Sequence, residues 1–375
     1  MDSCDVLIVG GGPGGSSCAW RLRDSGLDVR VLDRRKFPRD KVCGGWITPA
    51  VLEELCIEPS DYARGCVLQP ITGFRTSRMG DPEVETRYGE AVSYGIRRSE
   101  FDHYLLARSG ARRIEGEPLT QLERRGDWWI ANDRLRAQVV VGAGGHFCPV
   151  ARHLGARLGS EPIVAAQELE IGLDSGQARA CSVRAEVPEL YFCADLKGYG
   201  WCFRKENVLN VGFGRLDARG LARHVEPFLA WLKQAGKIPR DFPEALRGHA
   251  YLLYGWAERR ISGDGALLVG DAAGLAYPRS GEGIRPAVES GLLAGALIAA
   301  SGGRLTRESC RQYRELLEGR FGAARKDFAS ALASWVPPGL VTALGRRLLG
   351  TRWFARRVVL DRWFLHRREP ALALQ

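Results

Sequence analysis

The chain has 375 residues and a mass of 41.3 kDa, long enough for two domains and a full hydrophobic core. Hydrophobic residues make up 45% and charged residues 26%, which excludes wholesale disorder, a collagen-like fibre and a small disulfide scaffold. The charge is less ordinary: 54 Lys+Arg against 44 Asp+Glu, net +10, with 47 of the basic residues Arg and 7 Lys. Such a balance reads either as attraction to nucleic acid, an anionic membrane surface or an acidic ligand, or as an arginine-rich coding bias.

In chain order, Asp5-Val6-Leu7-Ile8-Val9 reads as a strand. Gly10 to Gly15 reads as a glycine-rich turn, the run to Ser25 as an amphipathic helix, and Val29 to Leu32 as a second strand. Residues 98–110 have a helical pattern, and 119–142 hold short strands ending in Val139-Val140-Val141. Residues 163–215 are β-rich, 266–270 form a short apolar strand, and a long helix starts at about 284. The tail from 304 reads as helices, broken at Val336-Pro337-Pro338-Gly339. There is no internal repeat. Ten cysteines without a C-x-x-C pair, and six histidines without metal-ligand spacing, give no metal site. The nucleotide motif starts near the N-terminus and Asp2 and Asp5 have the wrong sign for a signal peptide. The expectation is a cytoplasmic protein with reduced thiols. No stretch reaches the roughly 18 apolar residues of a membrane span; the best candidate, Pro286 to Ala300, carries Glu289 and two glycines.

Gly10, Gly12 and Gly15 satisfy G-x-G-x-x-G, with Pro13 and Gly14 between them. Gly10 permits the strand-to-helix turn, Gly12 lets backbone approach a pyrophosphate, and Gly15 lets the helix lie close to the strand. The pyrophosphate then meets the unpaired N–H groups of a helix N-terminus. Asp33 ends the second strand, placed for an adenosine ribose. Far along the chain, Leu268-Val269-Gly270-Asp271-Ala272-Ala273-Gly274 runs from strand to a Gly-Asp turn and small residues. A carboxylate there suits ribityl hydroxyls. By itself the segment reads equally as a strand end with an Asp helix cap; together with the fingerprint it selects FAD over a nicotinamide.

With these segments the chain resembles the geranylgeranyl reductase family of FAD flavoproteins, within the group that shares the aromatic-hydroxylase flavin fold. Five segments over residues 5–301 carry the resemblance. They are Gly10–Gly15, Asp40-Lys41-Val42-Cys43-Gly44-Gly45, and Arg98 with Phe101, Asp102 and Leu105. The fourth is Tyr199-x-Trp201-x-Phe203-x-Lys205 with Asn210-x-Gly212-x-Gly214. The fifth is Gly270–Gly274 with Pro278-x-x-Gly281-Glu282-Gly283-Ile284. Three positions depart from the family pattern: Arg204 stands where Pro is usual, Gly144 replaces an Asp, and Asp33 replaces the commoner Glu. The second puts any nicotinamide-docking role carried over from the hydroxylases in doubt.

The resemblance implies that FAD is held by Gly10, Gly12, Pro13, Gly14, Gly15, Asp33, Arg34, Lys41, Cys43, Gly44, Arg98, Gly270, Asp271, Gly281, Gly283 and Ile284. It places Cys43, Gly44, Tyr199 and Trp201 at the reaction space as candidate catalytic or site-lining residues. Cys43 otherwise reads as a small buried residue. Tyr199, Trp201 and Phe203 fall at period two and share one strand face, as pocket wall or as sheet core. Arg98 reads as a partner of FAD phosphate or ribose, or as a solvent-facing Arg. His146, after the glycine-rich stretch 142–145, reads as a residue near the cofactor or as a surface or capping histidine.

The expected fold class is α/β: a Rossmann-type FAD-binding domain assembled from discontinuous segments (1–70, 95–160, 255–303), an inserted β-sheet substrate domain (71–94, 161–254) and a helical C-terminal region (304–375). The expected function is reduction of carbon–carbon double bonds in an isoprenoid or similarly apolar substrate. The electron donor would be NAD(P)H or a ferredoxin-type protein. A monooxygenase or halogenase using O₂ and an electron-transfer flavoprotein dehydrogenase are the alternatives. Leu340–Gln375 has net charge +6 with interleaved Trp and Phe, and Arg34 to Lys41 adds +4 beside the fingerprint, so these two segments carry the whole excess. The tail reads as a cap on the flavin domain or as a peripheral membrane contact near a lipid substrate. No module for nucleic acid accompanies it.

Overall fold

Val6–Val9 and Val139–Val141 are apolar without alternation, and Val29–Leu32 is interrupted only by Arg30, which pairs with Asp2 and Asp28; such runs become strands covered on both faces. In the computed structural model, which describes residues 1–156, 161–217, 220–256, 259–322 and 338–373, these runs lie at the centre of an eight-stranded sheet. Strand Asp2–Val9 pairs in parallel with Leu135–Gly142 on one side and Val29–Asp33 on the other. Arg112–Glu115 extends the sheet beyond Val29–Asp33, and Ala266–Leu268 extends it beyond Leu135–Gly142, both in parallel. Leu122–Arg125 and Trp128–Ala131 add an antiparallel hairpin.

Helix Pro13–Leu22 covers this sheet and lies against helix Ile284–Ala300. Small residues set that contact: a Cβ on Gly291 would overlap the Gly14 carbonyl, and one on Gly295 would stand 2.8 Å from the Cys18 carbonyl oxygen. The apolar run 286–300 is therefore a buried helix of the nucleotide core. Among the described residues no helix is long and apolar enough to cross a membrane.

A second sheet of seven strands runs in the order Arg247–Tyr251, Val164–Gly172, Val208–Arg215, Gly198–Lys205, Glu189–Phe192, Gly73–Arg78, Val84–Arg87. Only Glu189–Phe192 and Gly73–Arg78 pair in parallel. One face is dry. Tyr191, Cys202, Val211 and Phe213 pack there with Val225, Phe228, Leu229 and Leu232 of helix Ala222–Gln234. The other face turns toward the nucleotide sheet. A small third sheet (Trp46–Ile47, Ser93–Ile96, Leu68–Ile71) joins the two.

The C-terminal region contributes helices Arg307–Phe321 and Pro338–Leu349. A short turn at Arg352–Phe354 then widens into an i→i+5 segment, Ala355–Phe364. Of the break expected at Val336–Gly339, Val336 and Pro337 lie outside the described residues. Val359, Leu360, Phe364 and Leu365 are buried among Trp46, Phe74, Phe192 and Trp201. Beyond them, Arg285 donates to the Glu369 and Pro370 carbonyls, and Glu54 accepts from the Leu372 N–H at 3.1 Å. The tail is a cap, and its eight arginines from Arg346 to Arg368 remain exposed.

Candidate active site

At the glycine-rich turn Gly10 has φ +113°, a conformation that favours glycine, and a Cβ there would overlap the Ala143 carbonyl. Helix Pro13–Leu22 opens at Gly12 with no side-chain cap, so its first N–H groups face outward. Above them lies the Arg39 guanidinium, 3.6 Å from where a Gly12 Cβ would stand. Arg39 is itself 3.3 Å from the Asp102 carboxylate. Asp33 closes the strand as expected; its carboxylate accepts from the Gly11 N–H at 2.8 Å and the Arg35 N–H at 2.9 Å. Arg34 is exposed at the rim.

Arg98 does not face solvent. It is buried, clamped by Asp102 through two 2.8 Å bonds, and lies beside the Cys43 sulfur. Lys41 is drawn into the same cleft, where its Nζ stands 3.1 Å from His249 Nδ1. His249 Nε2 is in turn 3.7 Å from the Asp271 carboxylate. Burial, aided by the charge of Arg98, lowers the Lys41 pKa to about 8. Burial alone would raise Asp271, but His249, Lys41 and Arg98 together hold it below its ordinary value.

Asp271 Oδ1 is 3.1 Å from where a Gly283 Cβ would stand. Gly283 begins helix Ile284–Ala300, the second helix N-terminus of the cleft, where the Glu282 carboxyl accepts from the Arg285 N–H at 2.7 Å. Gly281 has φ +70° and backs onto the Tyr251 hydroxyl, while Gly270, at φ +57°, donates its N–H to Ser290 Oγ at 2.9 Å. His146 is buried, contrary to the surface reading. Its Nδ1 meets Arg259, which also holds the carbonyls of Asp271 and Ala272. It supports the Gly270–Gly274 turn from behind.

The inward face of the seven-stranded sheet closes the cleft. Register places Glu168, Gly212 and Trp201 in one row across three strands, and Glu170, Asn210 and Phe203 in the next. Gly212 is required: a Cβ there would overlap the Trp201 ring. Trp201 Nε1 donates to Asn210 Oδ1 at 2.8 Å. The Asn210 amide nitrogen donates to Glu168 at 2.6 Å and to the Cys43 carbonyl at 3.1 Å. Lys205 reaches Glu170 at 2.8 Å, and Arg97 reaches it at 3.1 Å. Lys205 thus belongs to the strand and not to the turn its neighbours suggest; its side chain lies buried beneath Gly45, at φ +65°. Gly44 sits over Trp201 and Phe203, with Cβ separations of 3.5 and 3.4 Å.

Tyr199, Trp201 and Phe203 share this face, as period two requires. Trp46 stacks on Phe364 at 5.5 Å, and Tyr199 meets Phe364 edge-on at 5.4 Å. The Tyr199 hydroxyl donates to the Ser280 carbonyl. The structure therefore gathers Lys41, Cys43, Gly44, Arg98, Asp271, Gly283, Tyr199 and Trp201 around one cleft. Lys41, Cys43, Arg98 and Glu168 line a cavity of about 100 Å³ within it. Sequence reasoning missed Arg39, Glu168, Glu170, His249 and Phe364. Arg39 stood in the basic stretch already noted, and Glu168 and Glu170 show a period-two spacing against Leu169 and Ile171.

FAD fits these residues. Two helix N-termini open onto one cleft, the first of them uncapped and overhung by Arg39, and Lys41 is a buried amine whose side-chain hydrogen bonds go to a histidine. Such a cation suits a phosphate or an anionic ring. Comparison with known proteins agrees on the class, an oxidoreductase with an FAD-binding fold. A model of the NAD(P)-binding Rossmann-like domain matches residues 8–61.

The menaquinone reductase of Mycobacterium tuberculosis is 30% identical over 346 residues, covering 86% of this chain and 81% of that one. The digeranylgeranylglycerophospholipid reductase of Methanothrix thermoacetophila is 30% identical over 328 residues, covering 79% and 78%. Among solved structures, a geranylgeranyl bacteriochlorophyll reductase-like protein of Thermoplasma acidophilum superposes with a TM-score of 0.73 at 22% identity, covering 94% and 92%. A mutant of the halogenase PltM in complex with FAD shares the fold with a TM-score of 0.67 at 18% identity, covering 98% and 87%. The chain belongs to the geranylgeranyl reductase family of FAD-dependent oxidoreductases.

Proposed function

We propose that the protein reduces carbon–carbon double bonds in the isoprenoid chain of a lipid or quinone. The observation that carries this reading is the aromatic row of Tyr199, Trp201 and Phe203 packed against the Cys43-Gly44-Gly45 loop at the border of a cleft that fits FAD. An apolar wall beside a redox ring suits an alkene that has no polar handle of its own. When bound, reduced FAD supplies a hydride to one alkene carbon.

The chain does the rest. The Gly12–Gly15 backbone and Arg39 would hold the pyrophosphate, Asp33 the adenosine ribose and Asp271 the ribityl chain. Lys41, Arg98 and the N-terminus of helix Ile284–Ala300 would favour negative charge on the ring. Cys43, Gly44, Tyr199 and Trp201 would position the alkene, and the cap residues Leu360 and Phe364 would exclude water. The exposed arginines of the cap, with Trp353 67% and Leu344 60% exposed, support contact with an anionic bilayer that carries the substrate. The relatives' names, a menaquinone reductase and isoprenoid-lipid reductases, support the same substrate class.

The test is a single turnover. The FAD-loaded protein is reduced anaerobically with dithionite, so that the result does not depend on the natural donor. It is then mixed with menaquinone or a geranylgeranyl lipid in phosphatidylglycerol vesicles. Reoxidation of the flavin with loss of one double bond, seen by mass spectrometry, is expected. A flavin that stays reduced with every polyprenyl substrate overturns the reading.

A further inference from the structure

Reduction of an alkene requires a proton at the second carbon, and two buried carboxylates on the inward sheet face stand in opposite environments. Glu170 is clamped between two cations, Lys205 at 2.8 Å and Arg97 at 3.1 Å. These overcome the effect of burial and hold Glu170 below its ordinary pKa. Glu168, two residues earlier on the same face, is 5% exposed, and its neighbours in hydrogen-bond range are neutral: the Asn210 amide at 2.6 Å and the Cys43 backbone N–H.

The charged groups around it are Asp40, Lys41, Arg97, Arg98, Glu170 and Arg247, which line the same cavity, with Lys205 two rows along the sheet. Among the described residues none of these cations forms an ion pair with Glu168; Arg247 turns outward to Asp40 at 3.3 Å. Burial pushes the Glu168 pKa up to about 7 against the opposing pull of the Cys43 N–H, Asn210 and Lys205. A pair of carboxyl groups whose surroundings drive them apart in this way separates an acid from a fixed charge.

Orientation is fixed as well. An indole N–H can only donate, so Trp201 ties down the Asn210 carbonyl oxygen and leaves the amide nitrogen facing Glu168 and the Cys43 carbonyl. Asn210 therefore cannot take a proton from Glu168, which keeps it for the cavity shared with Cys43.

We propose that Glu168 is the acid that protonates the second alkene carbon, with Asn210 and Trp201 as its positioning residues. The proposal rests on the reductase reading and names the proton source that reading leaves open. The Glu168 O–H bond breaks as the new C–H bond forms. The carboxylate left behind recovers a proton from water. With the hydride, the alkene gains two electrons and two hydrogens while reduced FAD becomes oxidised.

Two measurements on the FAD-loaded protein test it. The first is the wild-type minus Glu168→Gln infrared difference spectrum of substrate-free enzyme, where a carboxylic-acid C=O band titrating near pH 7 is expected for Glu168; the Glu282 carboxyl, which burial also pushes up to about 7, contributes to both enzymes and cancels. The second is single-turnover reoxidation by menaquinone. The wild-type rate should fall as pH rises through 7. Glu168→Gln should lower it by about 10²–10⁴-fold, the range for losing a general acid, and abolish that pH dependence. A Glu168→Gln enzyme with the wild-type rate and profile, or a wild type without the band, overturns the proposal. A wild type that shows the band but that no polyprenyl substrate reoxidises overturns the reductase reading and the proton-donor role with it. The difference band, lost with Glu168→Gln, then still identifies Glu168 as a neutral buried acid.

Discussion

The two faces of the seven-stranded sheet are made by alternate residues of the same strands, and they differ in what they leave unspent. On the face toward helix Ala222–Gln234, Cys202, Val211 and Phe213 meet Phe228 and Leu232, and Gly200 makes room for the Phe228 ring. On the face toward the nucleotide sheet, Trp201, Asn210, Glu168, Glu170 and Lys205 form a chain of hydrogen bonds that reaches the Cys43 carbonyl. The first face is stabilised mainly by burial of apolar area, and the buried Glu189 carboxylate on it is neutralised by Lys237 and Arg75. The second buries polar groups whose benefit to stability is slight at best and which instead fix the orientation of a few atoms.

The comparison predicts that substitutions on the dry face change stability and leave chemistry alone. The largest effect belongs to Phe228→Ala. Phe228 is 2% exposed, and its truncation should cost about 3–5 kcal/mol, read as a lower urea midpoint. The fraction that stays folded should bind FAD with the wild-type spectrum. An altered spectrum would mean that the two faces are not independent.

Glu168→Gln should do the reverse, raising stability while impairing turnover, and the gain should depend on pH. The sign follows from proton binding. Glu168 has a folded pKa of about 7 against an ordinary 4.5, so below 4.5 both states are protonated and Glu168 adds no pH dependence. Between 4.5 and 7 the unfolded chain has lost the proton that the folded protein still holds, so stability falls as pH rises. Above 7 the penalty is complete, about 3 kcal/mol. Gln has no proton to lose. The variant's Tm should therefore gain on the wild type between pH 5 and pH 7.5 and then level off. A difference independent of pH would show that Glu168 ionises as an ordinary carboxyl.

The sequence discloses one kind of information about these faces and withholds another. Gly10–Gly15, Asp33 and the Gly270-Asp271 turn are legible because each is a local pattern in which backbone geometry restricts the residue type. The Tyr199, Trp201 and Phe203 row is legible for the same reason, since period two is a property of a single strand. Glu168 is different. Its meaning depends on lying opposite Gly212, with Trp201 beyond, a register set by strands about 40 residues apart. His249 and Lys41 meet from positions separated by 208 residues, and no local spacing marks either. The basic tail is ambiguous because an arginine-rich amphipathic helix looks alike over apolar protein and over lipid. Contacts of Leu360 and Phe364 with Trp46 and Trp201 establish the cap, and they come only from packing.

Trp201→Phe gives the smallest change in stability and separates orientation from burial most cleanly. Phe keeps an aromatic ring in the wall but cannot donate to Asn210. The loss of one buried hydrogen bond and of some ring volume should cost about 1–3 kcal/mol, less than Phe228→Ala, and FAD content should be unchanged. The kinetic effect should exceed what stability suggests. Without the indole N–H, the Asn210 amide is free to turn its carbonyl oxygen toward Glu168, where that oxygen can accept the acid's proton. Reoxidation by a polyprenyl substrate should then slow by roughly tenfold, the effect of about 1.4 kcal/mol on a barrier, and its pH profile should shift upward as the neutral acid gains an acceptor. A variant that loses stability but keeps the wild-type rate and profile would reduce Trp201 to a packing residue, and the inward face would differ from the dry one in composition alone.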